Sequence, residues 1–247
     1  MATEILVATI SAIVALIAAA ITIWGQTRSA KLQAELRREE NEDKRQREAK
    51  RLITRYREPL VHAAYDLQSR IYNILKLQLI NLHYINGTER SKNYVVNNTA
   101  FLIAQYFGWS EIIRQDGLFL DLGELDRTRK LNELQDTITH TWLRDDLGSA
   151  LCIFRGNQRV IGEEMIKRED GLNCLTYGEF LKALGDDQKT YLRSLNDDIS
   201  VVIKNIDVIR SRLLMLQHTL VDLIDFLDPN FVRFPQNRRT KISQSDS

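Results

Sequence analysis

Proline is missing from every position between Leu60 and Asp228; the three in the chain are Pro59, Pro229 and Pro235. At the usual frequency of about 5%, roughly eight would fall in a stretch of that length. Proline inside a helix removes a backbone donor and costs about 3 kcal/mol. The gap therefore predicts long helices and marks 59–228 as one domain, large enough to bury a core. Cysteine is nearly as scarce. Cys152 and Cys174 make no disulfide framework and lack the close spacing of zinc ligands, so they suit a reducing compartment as small apolar fillers. Charge of one sign is lacking too, because a formal net charge of +1 is not the basic excess of a nucleic-acid binder. Signatures of catalysis are absent: no glycine-rich phosphate loop, no G-x-S-x-G, no H-E-x-x-H and no kinase set, with the "DLG" at Asp121 to Gly123 standing alone. No cofactor and no catalytic residue is expected.

What is present begins with Ile5 to Trp24, an apolar run without a charge. At about 1.5 Å per residue such a helix reaches about 30 Å, the hydrocarbon thickness of a bilayer. A secretory signal would carry a basic start and a shorter apolar stretch, whereas Met1 to Glu4 hold no Lys or Arg. Arg28, Lys31, Arg37, Arg38 and Lys44 follow the run, and basic residues near a span prefer the cytoplasmic side. The expectation is a single-pass anchor with its N-terminus outside and the remainder cytoplasmic; a bacterial inner membrane would suit it. Within the run Ser11, Ala15 and Ala19 repeat every four residues, a spacing that lets two helices approach in lipid, although alanine is common in membrane helices anyway.

Residues 26–58 read as a charged helical spacer. Apolar heptads are missing, so a self-sufficient coiled coil is not supported. Opposite charges four apart, Glu40 with Lys44 and Asp43 with Arg47, support a solvated helix. From Arg28 to Arg57 there are eleven Lys/Arg against six Asp/Glu, an excess that would draw anionic lipid headgroups and that topology alone also explains.

Beyond Pro59 the apolar residues follow helical spacing. One helix starts near Pro59 and is expected to bury Val61, Ala64, Ile71, Tyr72, Leu75, Leu79 and Leu82. Val95, Thr99, Leu102, Tyr106, Trp109 and Ile113 mark a second. A third runs from about Glu124 to Arg144 through Leu131, Leu134, Ile138 and Trp142. The last is expected as one long helix from about Asp197 to Leu227. Thr176 and Glu179 fit a capping box ahead of a short helix. The segment around 150–166 fits a helix or a hairpin, with helix favoured because no neighbouring strand is evident. The expected fold is thus all-α: an N-terminal transmembrane helix (1–25), a charged helical spacer, a cytoplasmic helical bundle, and a flexible polar tail over 229–247.

If 150–166 is helical, Arg155, Arg159 and Glu163 share a face. Guanidinium forks suit carboxylate and phosphate, so this face is the candidate site for an acidic group; a structural pair of Arg159 with Glu163 is the plainer alternative. His62 with Asp66, Asp136 with His140, and His218 with Asp222 each lie four apart. A metal site would need two such pairs to converge, and the Glu-x-x-His pattern is absent, so ordinary surface pairing is expected. The functional expectation is a membrane-anchored, non-catalytic module for partner binding, scaffolding or sensing, with a protein partner or a second copy as the ligand. An enzyme or small-ligand sensor with a site in the bundle is the alternative.

Overall fold

The computed structural model describes residues 2–115, 125–169 and 171–243, without the side chains of 2–15, 17–20, 34, 45–46, 48–54 and 125. It is predominantly helical. Two compact units divide the chain, Met1–Leu52 and Ile53–Ser247.

The first unit lies within helix α1 (Ala2–Leu75). Its described side chains are all solvent-exposed, Leu32 and Leu36 included, as a stretch so rich in charge requires. Arg47 donates to Asp43 at 3.4 Å, one of the two expected pairs. Among the described residues no helix is long and apolar enough to cross a membrane. Of the run Ile5 to Trp24, only Leu16 and the residues from Ile21 onward have described side chains, so the expected contact face of Ser11, Ala15 and Ala19 lies outside what is described.

In the second unit helix α2 (Glu89–Gln115) is the central element. It packs against α4 (Arg155–Glu164), α5 (Tyr177–Ala183) and α6 (Thr190–Val202), while α3 (Leu125–Leu143) packs on α7 (Arg210–Leu227). Both flanks of α2 are therefore covered: beyond the expected stripe it buries Val96, Ala100, Ile103, Phe107 and Ile112. The α3 stripe is as expected, with Leu131, Leu134, Ile138 and Trp142 all buried. Thr176 and Glu179 form the reciprocal capping box, each side chain taking the other's backbone N–H.

Two glycines let α2 approach its neighbours closely, Gly162 at α4 and Gly108 at Cys174 and Met165. A Cβ on Gly162 would lie 2.7 Å from the Phe107 carbonyl oxygen and 2.8 Å from Glu111 Cβ; one on Gly108 would lie 2.6 Å from Cys174 Sγ. Gly162→Ala is expected to lower stability by about 1–3 kcal/mol, the usual range for overpacking, because the obstruction is backbone and cannot rotate away. A lower urea midpoint at unchanged slope would register it.

Five expectations need correction. Pro59 lies inside α1 rather than opening it, and Tyr56 and Leu60 are both buried, so packing on both sides of the proline holds the helix; the compact unit starts at Ile53. The same helix stops at Leu75; Gln78 takes a left-handed φ of 53°, and Leu82 falls in a short π-type turn (Ile80–Ile85), 57% exposed rather than buried. The helix favoured around 150–166 forms over Arg155–Glu164; what needs correction is the premise that no strand lies nearby, since a two-stranded hairpin follows, β1 (Ile166–Lys167) pairing antiparallel with β2 (Asn173–Cys174). The expected long final helix is two: α6 and α7 are separated by a 3-10 turn at Ile206–Ile209.

The fifth concerns 229–247, whose described residues form a strap rather than a flexible tail. Phe234 stacks on Tyr65 at 3.7 Å and meets His62 edge-on at 5.0 Å. Gln217 donates to the Thr240 carbonyl at 3.0 Å and accepts the Ile242 N–H at 3.2 Å. Ile242 is buried, and Arg233 and Lys241 pair with Glu58 and Asp222. Three apolar contacts and a set of backbone hydrogen bonds outweigh the polar composition.

Candidate functional site

The expected arginine face lines a groove. Between α2, α3 and α4 there is a solvent-open cavity of about 860 Å³, with Tyr106, Phe107 and Ile113 from α2 on its floor. Arg155, Gln158 and Arg159 contribute from α4, and Arg129, Glu133 and Asp136 from α3. Glu163 is not part of the lining; it stands one turn further on, where its charge reaches Arg114. Two of the three expected site residues are thus brought together, and α2 and α3 supply the rest.

The groove's position follows from local structure. Gly162 seats α4 against Phe107, and buried Gln158 ties the start of α4 to the Thr139 carbonyl at 3.0 Å and the Ile153 carbonyl at 2.8 Å. Arg155 then reaches across to α3, donating to Asp136 Oδ1 at 2.8 Å; its terminal nitrogen also lies 3.3 Å from His140 Nε2. On the opposite wall the buried Glu111 carboxylate accepts from Arg114 Nε at 2.7 Å and from Gln115 at 2.8 Å. Burial pushes the Glu111 carboxyl up, but the hydrogen bonds from Arg114 and Gln115 and the charges of Arg114 and Arg159 outweigh it, so its pKa lies below the ordinary value. Glu111 therefore stays ionised at neutral pH, suited to holding Arg114 rather than to donating a proton.

Arg159 differs from its neighbours. Among the described residues it makes no ion pair within 4.0 Å, with Glu163 or any other carboxylate, and no hydrogen bond. The plainer alternative, a structural pair with Glu163, is not formed.

The His/Asp pairs are engaged separately. Asp136 and His140 approach at 3.3 Å and share Arg155. His218 lies 2.7 Å from the Ile242 carbonyl while Asp222 takes Lys241, and His62 faces Phe234. Among the described residues no group of three or more His, Cys, Asp or Glu is placed to hold a metal ion. Both cysteines are free thiols; burial pushes Cys174 up to about 12, which leaves it protonated and unreactive at neutral pH. Asp121 to Gly123 lie outside the described residues.

Comparison with known proteins finds no matching family model, no matching curated protein and no matching solved structure. Function must therefore be argued from the groove and from the amino-acid pattern around it.

Proposed function

We propose that the chain is a single-pass membrane protein, N-terminus outside, whose helical domain lies in the cytoplasm and binds a partner for scaffolding or sensing without catalysing a reaction. The observation that carries binding is the groove: its arginines project from helices whose positions are fixed by buried contacts, and one of them, Arg159, makes no ion pair within 4.0 Å among the described residues. Side chains held on rigid elements recognise a ligand without a large ordering cost. For the anchor, Leu16, Ile21, Ile23 and Trp24 are 62–71% exposed, which favours lipid rather than water as their surroundings, and the basic residues from Arg28 favour a cytoplasmic domain in contact with anionic headgroups. Pairing of two anchors through Ser11, Ala15 and Ala19 belongs to the same proposal, with homo-oligomer as the outcome. A bacterial inner membrane suits this topology.

The test is affinity purification of the full chain in mild detergent, comparing wild type with the double charge reversal Arg155→Glu and Arg159→Glu. A stoichiometric partner that is captured by wild type and lost from the double variant is the expected result. Capture unchanged by the reversal would remove the groove from the binding role. A co-purifying metabolite in place of a protein would favour the sensor reading, to which the size of the cavity lends weight.

A further inference from the structure

We propose that the α2–α3–α4 groove receives a small organic anion, a carboxylate or phosphate carried on an apolar body, and that Arg159 reads its charge. The proposal rests on the reading of this groove as a binding site and narrows it to a ligand class.

Size comes first. About 860 Å³ lies within the roughly 300–1,000 Å³ of small-molecule sites, and it offers room for a ring or short chain above Tyr106 and Phe107. Charge comes next. Four arginines against three carboxylates line the cavity, so a cation is disfavoured there. The carboxylates are already used: Glu111 holds Arg114, Asp136 holds Arg155, and Glu133 has Lys130 at 3.6 Å. Arg129 is engaged as well, with Asp126 at 3.5 Å outside the lining. Arg159 is the groove cation that makes no ion pair within 4.0 Å among the described residues, its charge being felt by Glu111 only at longer range, and it stands beside an apolar floor with its guanidinium free to take a charge-assisted hydrogen bond. A guanidinium fork fits the two oxygens of a carboxylate or phosphate.

Orientation is also fixed. Arg159 follows Gln158, whose buried amide holds α4 to α3, and precedes Gly162, whose missing side chain lets α4 touch α2. A planar or elongated body would lie on Tyr106, Phe107 and Ile113 while its anionic end meets Arg159. Arg155, already neutralised by Asp136, would border the ligand without providing the charge.

Isothermal titration of the full-length chain in mild detergent tests this with three probes: phenyl phosphate, benzoate and the neutral benzyl alcohol. Each is run against wild type, Arg159→Ala, Arg159→Glu and, as a control outside the groove, Arg193→Ala on α6. One of the two anions is expected to bind at least tenfold more tightly than benzyl alcohol, the better one separating phosphate from carboxylate recognition. Arg159→Ala should weaken that binding tenfold or more, Arg159→Glu should abolish it, and Arg193→Ala should leave it unchanged. Arg159 is exposed, so a thermal midpoint within a degree or two of wild type checks that the variants fold. Equal binding of all three probes, no binding of either anion, or anion binding indifferent to Arg159 would overturn the proposal. Should the anions fail to bind while charge reversal still releases a captured protein, the ligand class falls and the broader binding role stands; if the reversal changes neither, both fall.

Discussion

Replacing Arg212 with alanine should remove about 3–5 kcal/mol of stability, because several buried carbonyls lose charge-assisted hydrogen bonds at about 1–3 kcal/mol for each group left unsatisfied. Arg212 has no solvent exposure, and it is surrounded by carbonyl oxygens rather than a carboxylate. Its two terminal nitrogens donate to the carbonyls of Thr141 (2.6 Å), Trp142 (2.9 Å), Arg144 (2.6 Å) and Gly148 (2.6 Å). These acceptors are the end of α3 and the turn that follows it, where a helix leaves its last carbonyls without internal donors and carries the negative end of its dipole. One side chain from α7 thus supplies the C-terminal cap of α3 and fastens the two helices together. Burial lowers the Arg212 pKa from its ordinary value, yet an arginine so far above neutral stays charged. Alanine would take this donor from the Thr141, Arg144 and Gly148 carbonyls, that of Trp142 keeping the Ile153 N–H at 2.9 Å, and would leave a cavity beside Trp142. Lysine keeps the charge but not the fork, and should recover only part of the loss. Urea denaturation measures both; a change below about 1 kcal/mol for Arg212→Ala would mean that those carbonyls find other donors.

Asp228→Ala should be nearly as severe, about 2–4 kcal/mol, because it takes the acceptor from three backbone N–H groups and one of two carboxylates from the buried Arg239, the other being Asp225 at 3.1 Å. Asp228 closes the C-terminal strap. Its carboxylate accepts the N–H groups of Val232 at 2.9 Å, Arg233 at 3.1 Å and Phe234 at 3.3 Å, and receives Arg239 at 2.5 Å. Arg239, whose side chain is 1% exposed, also donates to the carbonyls of Phe234 and Asp228 and lies over the Phe231 ring. Without Asp228 the strap should detach, so proteolytic cleavage between Pro229 and Ile242 should accelerate along with the fall in stability. Acid should reproduce part of this. Burial pushes the Asp228 carboxyl up, but the three N–H bonds and the Arg239 charge outweigh it, so its pKa in the folded chain is lowered. The unfolded chain then binds the proton more readily, and the stabilisation is present above the unfolded carboxylate value of about 3.9 and lost as pH falls through the folded one. Wild type should therefore lose thermal stability more steeply than Asp228→Ala as pH falls below about 4. Parallel profiles would remove Asp228 from that role.

Helical spacing exposed most of the bundle to a reading of residues alone. Leu131, Leu134, Ile138 and Trp142 lie on one face of α3, and the capping box at Thr176 announces α5. The break between α6 and α7 was invisible for a physical reason: a 3-10 turn repeats every three residues, so Val202, Ile206 and Ile209 keep an apolar spacing that also fits a continuous helix. Neither glycine nor proline punctuates it. Composition hides the strap, because its few apolar residues, Phe231, Val232, Phe234 and Ile242, are scattered among polar ones without a helical or strand period. At the site, Arg155 and Arg159 were legible as one face of a short helix. Their partners were not, since Asp136, Glu111 and Arg114 belong to helices whose contacts depend on Gly162 and Gln158, and no local pattern encodes which helix a glycine will touch.

Membrane attachment is the claim on which the cytoplasmic setting of the groove depends. The direct measurement is alkaline carbonate extraction of membranes from cells making the full chain, with the intact mass determined on the recovered protein. The expected result is a chain that stays in the pellet with residues 5–24 still attached. Release into the supernatant at full length, or a mass showing that the apolar run has been removed, would contradict it.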